Sequence, residues 1–404
     1  MSRRRRYQGG AVYPMPDRDI AIIGYYETPI VLRSGRDVYD LAGEAMAGVL
    51  SHAGIDKAEI DGLAVSSCFS DAGNPFYSPV LAAYLGLELD WCQTTDLGGA
   101  SASGNVARAA AAIRAGLCDT VLLLSADAQS SENKGSIGGF RSEFQYPTGI
   151  MGPPGYFGLL SRRYDHQYGL DAKALGKLAV TQRNHALMND NACAKLKRPL
   201  TIEEYLASPM ISDPIRMLDC VMVCDGANAL IVTTTERARA LGRKKMVHPI
   251  GYGERVNYAE TDPLPDVTRA GTAVAGARAL KAAGLTPRQI ESFHPYDDFL
   301  IAIVLQLEAV GFCEPGRGCP FVMEHDLSFT GDLPLNTGGG QISAGQPGLA
   351  GGGHNLVEAV RQLFGEAGAR QLKRRHNAMV TGIGWIPYGR NWGSSTVVIL
   401  EAAQ

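Results

Sequence analysis

"DLGGASASGNVARAAAAIRAGLCDTVLLLSAD", residues 96–127, reads as a glycine turn, a helix of very small residues, a short turn and an apolar strand. Alanine has the highest helix propensity, so the middle of this stretch is helical without help from packing. Side chains this small let other backbones come close, which places the helix in a core. Its N-terminus offers free backbone N–H groups and the positive end of the helix dipole. A reactive side chain is expected there, yet Gly98, Gly99, Ser101 and Ser103 stand in its place.

Upstream, "DIAIIGYYETPI" (19–30) reads as a buried strand and "DVYDLAGEAMAGVLSHAGI" (37–55) as a helix closed by Gly54. "EIDGLAVSS" (59–67) is a second strand. This alternation predicts an α/β sheet with helices on its faces. From about 129 to 217 the alternation breaks. Residues 131–158 carry loop chemistry and "AKALGKLAVTQRNHALM" (172–188) an amphipathic helix, so the segment is expected to be an insertion. "DGANALIVTTTERARAL" (225–241) then returns to strand and helix.

The second half repeats the first. "HPIGYGERVNY" (248–258) answers the first strand, and the helix and strand of 267–297 answer those of 37–67. "GGGHNLVEAVRQLFGEAG" (351–368) answers the small-residue helix, and "HNAMVTGIGW" and "SSTVVILEA" answer the strands after it. Five elements recurring in order predict two similar halves, 19–245 and 246–404, joined near Lys245 and preceded by a basic head, 1–18. Packed about a pseudo-twofold axis, such halves put both central helices in the core, their N-termini facing a shared cleft.

Composition limits the function classes. Hydrophobic residues make up 45% and charged residues 20% of the 404, as in a soluble globular protein. A net charge of −3 gives no global field for nucleic acid or an anionic membrane. The head, "MSRRRRYQGG", reads as a solvated, disordered tail. No apolar run approaches the length of a membrane span and none resembles a signal peptide, so a cytoplasmic location is expected. The eight cysteines (Cys68, Cys92, Cys118, Cys193, Cys220, Cys224, Cys313 and Cys319) are scattered and expected to be reduced thiols. Neither "CVMVC" nor "GFCEPGRGC" has partners at ligand spacing, and no metal is expected.

With "SDPIRMLDCVMVCDGANALIV" (212–232) closing the first half and "LPLNTGGGQISAGQPG" (333–348) before the second central helix, the chain resembles the thiolase superfamily from about Asp19 to Ala402. The resemblance implies a duplicated αβαβα layered fold, a coenzyme A thioester as substrate with no bound cofactor, and a homodimer formed through the edge of the first-half sheet. The family's reactive positions, however, have changed. Its nucleophilic cysteine falls at Gly99, its Gly-His-Pro histidine at Gln346, and its second cysteine at Gly382. Its fourth motif reads "YDDF", with Tyr296 at the oxyanion position. Covalent catalysis needs a nucleophile with an adjacent base, and glycine is neither.

"YDDFLIAIVLQLEAVGFCEPGRG" (296–318) and "NLVEAVRQLFGEAGARQ" (355–371) are similar to the steroid side-chain-cleaving acyl-CoA aldolases. These are thiolase-like proteins of the sterol-carrier or lipid-transfer type. They lack the cysteine, use tyrosines and work with a small OB-fold/zinc-ribbon partner. The resemblance therefore implies a retro-aldolase that splits a β-hydroxyacyl-CoA into a ketone or aldehyde and a shorter acyl-CoA.

Proton chemistry is assigned to Tyr296, Asp298, His294, His354 and Tyr258; Tyr296 can donate or accept a proton if its neighbours lower its pKa. The thioester cradle is assigned to Gly99, Ser101, Gly345, Gln346, Gly382 and Gly384, while the family pattern makes Asp297 structural. Trp385, Tyr388 and Trp392 would suit a bulky ring substrate or the packing of a strand end. Two alternatives stand beside this reading. One is an acyltransferase using Ser101, Cys68 or Cys92, the last expected on a buried strand. The other is a non-catalytic subunit that binds acyl-CoA or sterol.

Overall fold

The structure, a computed structural model, describes residues 18–132, 142–150, 152–259, 266–384 and 392–403. Nearly all of the basic head lies outside them, as do Trp385 and Tyr388.

Eleven strands are formed by the described residues: β1 Ile20–Glu27, β2 Gly62–Ser66, β3 Trp91–Thr95, β4 Thr120–Asp127, β5 Met210–Ser212, β6 Ile215–Arg216, β7 Gly226–Thr234, β8 Val247–Val256, β9 Phe293–His294, β10 Asn377–Ile383 and β11 Ser394–Ala402. Nine of them build one mixed sheet in the order β3-β2-β4-β7-β1-β8-β11-β10-β9. Read outward from its middle, the order is 1-7-4-2 with β3 at the edge on one side, and 8-11-10-9 on the other. Strands at equivalent places in the two halves of the sequence thus occupy equivalent places in the sheet. The halves meet where β1 and β8 pair at Ile22 and Val247.

The period-two pattern of the strands sorts their side chains into layers. Val121 and Leu123 of β4 face the two central helices, Ser101–Arg114 and Gly351–Phe364, together with Val232, Val380 and Val398. Leu122 and Leu124 face the opposite way, against the helices Val38–Ala53 and Tyr77–Leu85. The second half packs its outer face on Thr272–Ala283 and Leu300–Ala309. Layers therefore alternate helix, sheet, helix, sheet, helix, with the two central helices in the middle.

All fourteen residues of the second central helix are buried, including Glu358 and Arg361. A helix buried all round must satisfy its charges internally. Arg361 bridges Glu27 of β1 and Glu358, each at 2.6 Å, and Arg370 binds Glu358 at 2.9 Å. His354 Nδ1 lies 2.8 Å from the other oxygen of Glu27. Burial alone would raise both carboxyls, but the Arg361, Arg370 and His354 groups beside them hold Glu27 and Glu358 well below the usual carboxylate range. This network pins a strand of the first half to the central helix of the second.

Two expectations change. The insertion is more helical than its composition suggested: Pro153–Tyr168 is a helix, with its prolines in the first turn, where a missing N–H costs nothing. Cys92 sits on β3, the edge strand, and is exposed rather than buried.

Candidate active site

Tyr296 follows β9, which lies parallel to β10. Its backbone is gripped on both sides. Its N–H donates to Thr381 Oγ1 at 3.1 Å, its carbonyl accepts from Gln306 Nε2 at 2.7 Å, and Thr381 Oγ1 donates to Gln306 Oε1 at 2.5 Å. The side chain runs to the start of the first central helix. A Cβ on Gly99 would stand 2.2 Å from Cε2 and Cζ of this ring, far inside van der Waals contact. Glycine at 99 is thus what lets the phenol sit there. Gly352, opening the second central helix, approaches the Gly99 carbonyl equally closely. Both helix N-termini therefore converge on Tyr296.

The hydroxyl accepts from Gln346 Nε2 at 3.3 Å, and the same amide donates to Gln341 Oε1 at 3.0 Å. Gln341 is fully buried, in the short helix Gly340–Ala344, and its Nε2 has no partner. Burial and the charges of Asp298 and Asp297 push the Tyr296 phenol well above its ordinary value, while the Gln346 and Gln341 amides oppose them. Tyr296 is therefore held protonated, its pKa raised where sequence reasoning asked for a lowered one.

The two aspartates part company. Asp297 is fully buried and accepts from the backbone N–H groups of Gln341 and Ile342 and from the amides of Asn355 and Gln182. It caps the short helix that carries Gln341. Asp298 is half-buried, and its Oδ1 has no partner. Burial, and then the charge of Asp297, raise its carboxyl to about 8. A carboxyl in this range can take and return a proton near neutral pH.

A single strap ties these loops together. Val221 N–H donates to the Asp298 carbonyl at 3.3 Å, Gln346 N–H to the Met222 carbonyl at 2.9 Å, and Cys224 N–H to the Gln346 carbonyl at 2.8 Å. Gly345, with φ +102°, makes the turn beneath, against Cys224 and Cys193.

The structure thus brings together Tyr296, Asp298, Gln346, Gly345 and Gly99. Gly382 packs on Ala100 and Ser103, and Gly384 on the Leu97 carbonyl, at the same end of the first central helix. His354, His294 and Tyr258 have different surroundings. His354 is paired with Glu27 in the buried ion network. His294 is fully buried with neither ring nitrogen partnered, and burial lowers it to about 4, so it stays neutral. Tyr258 lies just past β8, half-buried beside Gly271.

The alternative nucleophiles fare no better. Ser101 Oγ accepts from Leu97 N–H at 2.9 Å as a local cap. Burial and the Asp127 charge push the Cys68 thiol up to about 11. Trp392 is fully buried, its indole donating to the Val267 carbonyl. Gln341, Gln306 and Thr381 were missed; amides and hydroxyls carry no spacing signature. Among the described residues, no group of three His, Cys, Asp or Glu side chains could hold a metal, and no helix is long and apolar enough to cross a membrane.

Comparison with known proteins identifies the family. Residues 253–402 match the family described as thiolase C-terminal domain-like. The chain is 32% identical over 367 residues to the 17-hydroxy-3-oxo-4-pregnene-20-carboxyl-CoA lyase of Mycobacterium tuberculosis, covering 85% of this chain and 91% of that one. It is 30% identical over 366 residues to the steroid side-chain-cleaving aldolase of Thermomonospora curvata, covering 85% and 90%. The solved Ltp2-ChsH2(DUF35) aldolase superposes with a TM-score of 0.84 at 29% identity, over 97% of this chain and 99% of that one. A duplicated fold with a phenol in place of the nucleophile, and relatives of this length and identity, lead to one conclusion: the chain belongs to the thiolase superfamily, among its thiolase-like CoA lyases and aldolases.

Proposed function

We propose that the chain is a retro-aldolase acting on a β-hydroxyacyl-CoA, and that the acyl group is a steroid side chain, as the names of the M. tuberculosis and T. curvata relatives suggest. The observation that carries this reading is the phenol of Tyr296 standing where residue 99 would project a nucleophile. Such a site has lost acyl transfer but keeps two helix N-termini, amide donors and a carboxyl near neutral pKa.

The step needs one proton and no cofactor. Asp298, as carboxylate, takes the β-hydroxyl proton. The oxygen's electron pair forms the carbonyl as the Cα–Cβ bond breaks. The bond's electrons pass to the thioester as an enolate, whose oxygen is stabilised by the Tyr296 hydroxyl and the positive helix ends. Asp298, now protonated, returns its proton to Cα. The products are a ketone or aldehyde and a shorter acyl-CoA, and the enzyme is unchanged.

The assembly is part of this proposal. The edge strand β3 offers an open ladder, flanked by exposed Phe76 at the start of the helix Tyr77–Leu85 and by exposed Val80 and Tyr84 on it. This edge would pair with a second copy. A small OB-fold/zinc-ribbon partner is proposed by analogy with the complexed relative. The free cysteines suit a cytoplasmic location, and the two halves are taken to join near Lys245.

The test is to purify the chain alone and with such a partner and supply a β-hydroxyacyl-CoA with a tertiary hydroxyl. A ketone and a shorter acyl-CoA are expected by mass spectrometry, with most of the rate lost in Tyr296→Phe. A covalent acyl-enzyme, or full activity in Tyr296→Phe, would sink the reading.

A further inference from the structure

Gln341 is the residue whose environment calls for a ligand. Its side chain is completely buried, yet its amide nitrogen has no hydrogen-bond partner. Buried polar groups are almost always paired, and an unpaired donor beside a site marks a place where a ligand's acceptor belongs. The rest of Gln341 is fixed. Its backbone N–H is held by Asp297 at 3.0 Å, and its Oε1 accepts from Gln346 Nε2 at 3.0 Å. Gly351 packs so close to this Oε1 that a Cβ there would stand 2.0 Å away, so the carboxamide cannot swing toward the second central helix.

Tyr296 presents the matching half. Its oxygen already accepts from Gln346 Nε2, so its proton must point away from that amide. Gln346 thus binds both partners through one nitrogen, and the Gln341 amide lies near enough to the Tyr296 oxygen to oppose the rise of its pKa while making no full hydrogen bond of its own. Two neighbouring donors without acceptors suit a single oxygen that gains negative charge during reaction.

We propose that Gln341 is a catalytic residue of this enzyme: its side-chain N–H₂ and the Tyr296 hydroxyl together bind the thioester oxygen as it becomes the enolate. This rests on the retro-aldolase reading and adds a second donor to it. The pair also explains Gln346 at the position where the family keeps a histidine. An amide can orient a phenol and a second amide at once without titrating.

The experiment is exchange of the α-protons of propionyl-CoA in D₂O, followed by NMR, with the full chain and its partner. Exchange requires enolate formation but no aldol acceptor. Wild type is expected to exchange, and Gln341→Leu and Gln341→Met to exchange about 10²-fold more slowly, with the KM for the thioester and the melting temperature little changed. Gln341→Glu, which replaces the donor by an acceptor, is expected to be equally slow. If the Leu variant fails to fold, the Met variant, closer in shape, carries the test. Wild-type exchange in Gln341→Met alongside loss in Tyr296→Phe would overturn the role of Gln341 and leave the retro-aldolase reading standing. Full exchange in Gln341→Glu would also overturn it, because the free atom would then act as an acceptor. Absence of exchange in wild type would overturn the enolate reading itself.

Discussion

Gly99 and Tyr296 exclude one another's side chains: the phenol oxygen lies 2.3 Å from where a Cβ on residue 99 would be. A nucleophile at 99 and a tyrosine at 296 cannot share this site without rearrangement. Substituting Gly99→Ala is therefore expected to displace the ring, cost about 1–3 kcal/mol from overpacking and abolish most lyase activity. Thermal denaturation and product assays measure the two effects. Combining it with Tyr296→Ala should recover stability but not activity. Restoring the cysteine by Gly99→Cys should give no acyl-enzyme, since Gln346 supplies no base.

Asp298 should set the pH dependence. Acting as a base, it is active when ionised, so kcat should rise with pH and level off above about 8. Asp298→Asn should remove that limb and lower the rate by about 10²–10⁴-fold. Stability should move the other way. A carboxyl raised in the folded state keeps its proton there while the unfolded chain releases it. Wild type should therefore lose stability as pH rises from about 4 to about 8. Melting curves of Asp298→Asn should lack this slope and be higher at pH 8.

Breaking the buried ion network should be costly. Arg361→Met leaves Glu27 and Glu358 without their shared partner and should destabilise by about 3–5 kcal/mol. Both carboxyls are depressed in the folded state. Their stabilisation is present above the ordinary carboxylate pKa and is lost as pH falls below it. Urea denaturation of wild type across pH 3–6 should show this loss, and Arg361→Met should show less of it.

His294 is expected to be dispensable for chemistry. It is fully buried and stays neutral at working pH, so it is no general base, and His294→Leu should leave the rate nearly unchanged. The histidine is neutral in the folded state down to about 4, while an unfolded one binds a proton from about 6.5. Its burial thus lowers stability as pH falls between those values, and the leucine variant should flatten this slope. A large rate loss with the fold intact would return His294 to the mechanism.

Phe76→Asp together with Val80→Asp should leave the fold intact and convert a dimer to monomer by sedimentation. Both side chains are exposed, so a monomeric wild type, or dimers that survive the pair, would exclude β3 as the interface.

Much of this was written locally in the chain. Strand and helix periods are short-range signals, so the duplicated α/β order and the small-residue helix at 101–114 could be read from residues 19–404, while the changed reactive positions at Gly99, Gln346 and Gly382 came from the resemblance to the thiolase superfamily. The motif "YDDF" singled out Tyr296 and Asp298 for the same reason. The insertion was less legible, because proline opens a helix as readily as it shapes a loop, and only the packing of Pro153–Tyr168 decides between them.

Only the tertiary structure could say what each of these groups does. Whether Tyr296 is an acid or a base depends on burial and on the charges of Asp297 and Asp298, not on the letters around it. His354 and His294 share a composition signal with catalytic histidines, and long-range packing engages one with Glu27, 327 residues away, and buries the other neutral. Gln341 was invisible to sequence because an amide becomes chemically meaningful only when it is buried, fixed on one side and left unpaired on the other. The sequence by itself determined the layered, duplicated fold and the absence of the nucleophile, since both are set by local pattern and residue type. The placement of protons and donors around Tyr296 was decided in three dimensions, because desolvation and hydrogen bonding depend on neighbours brought in from the other half of the chain.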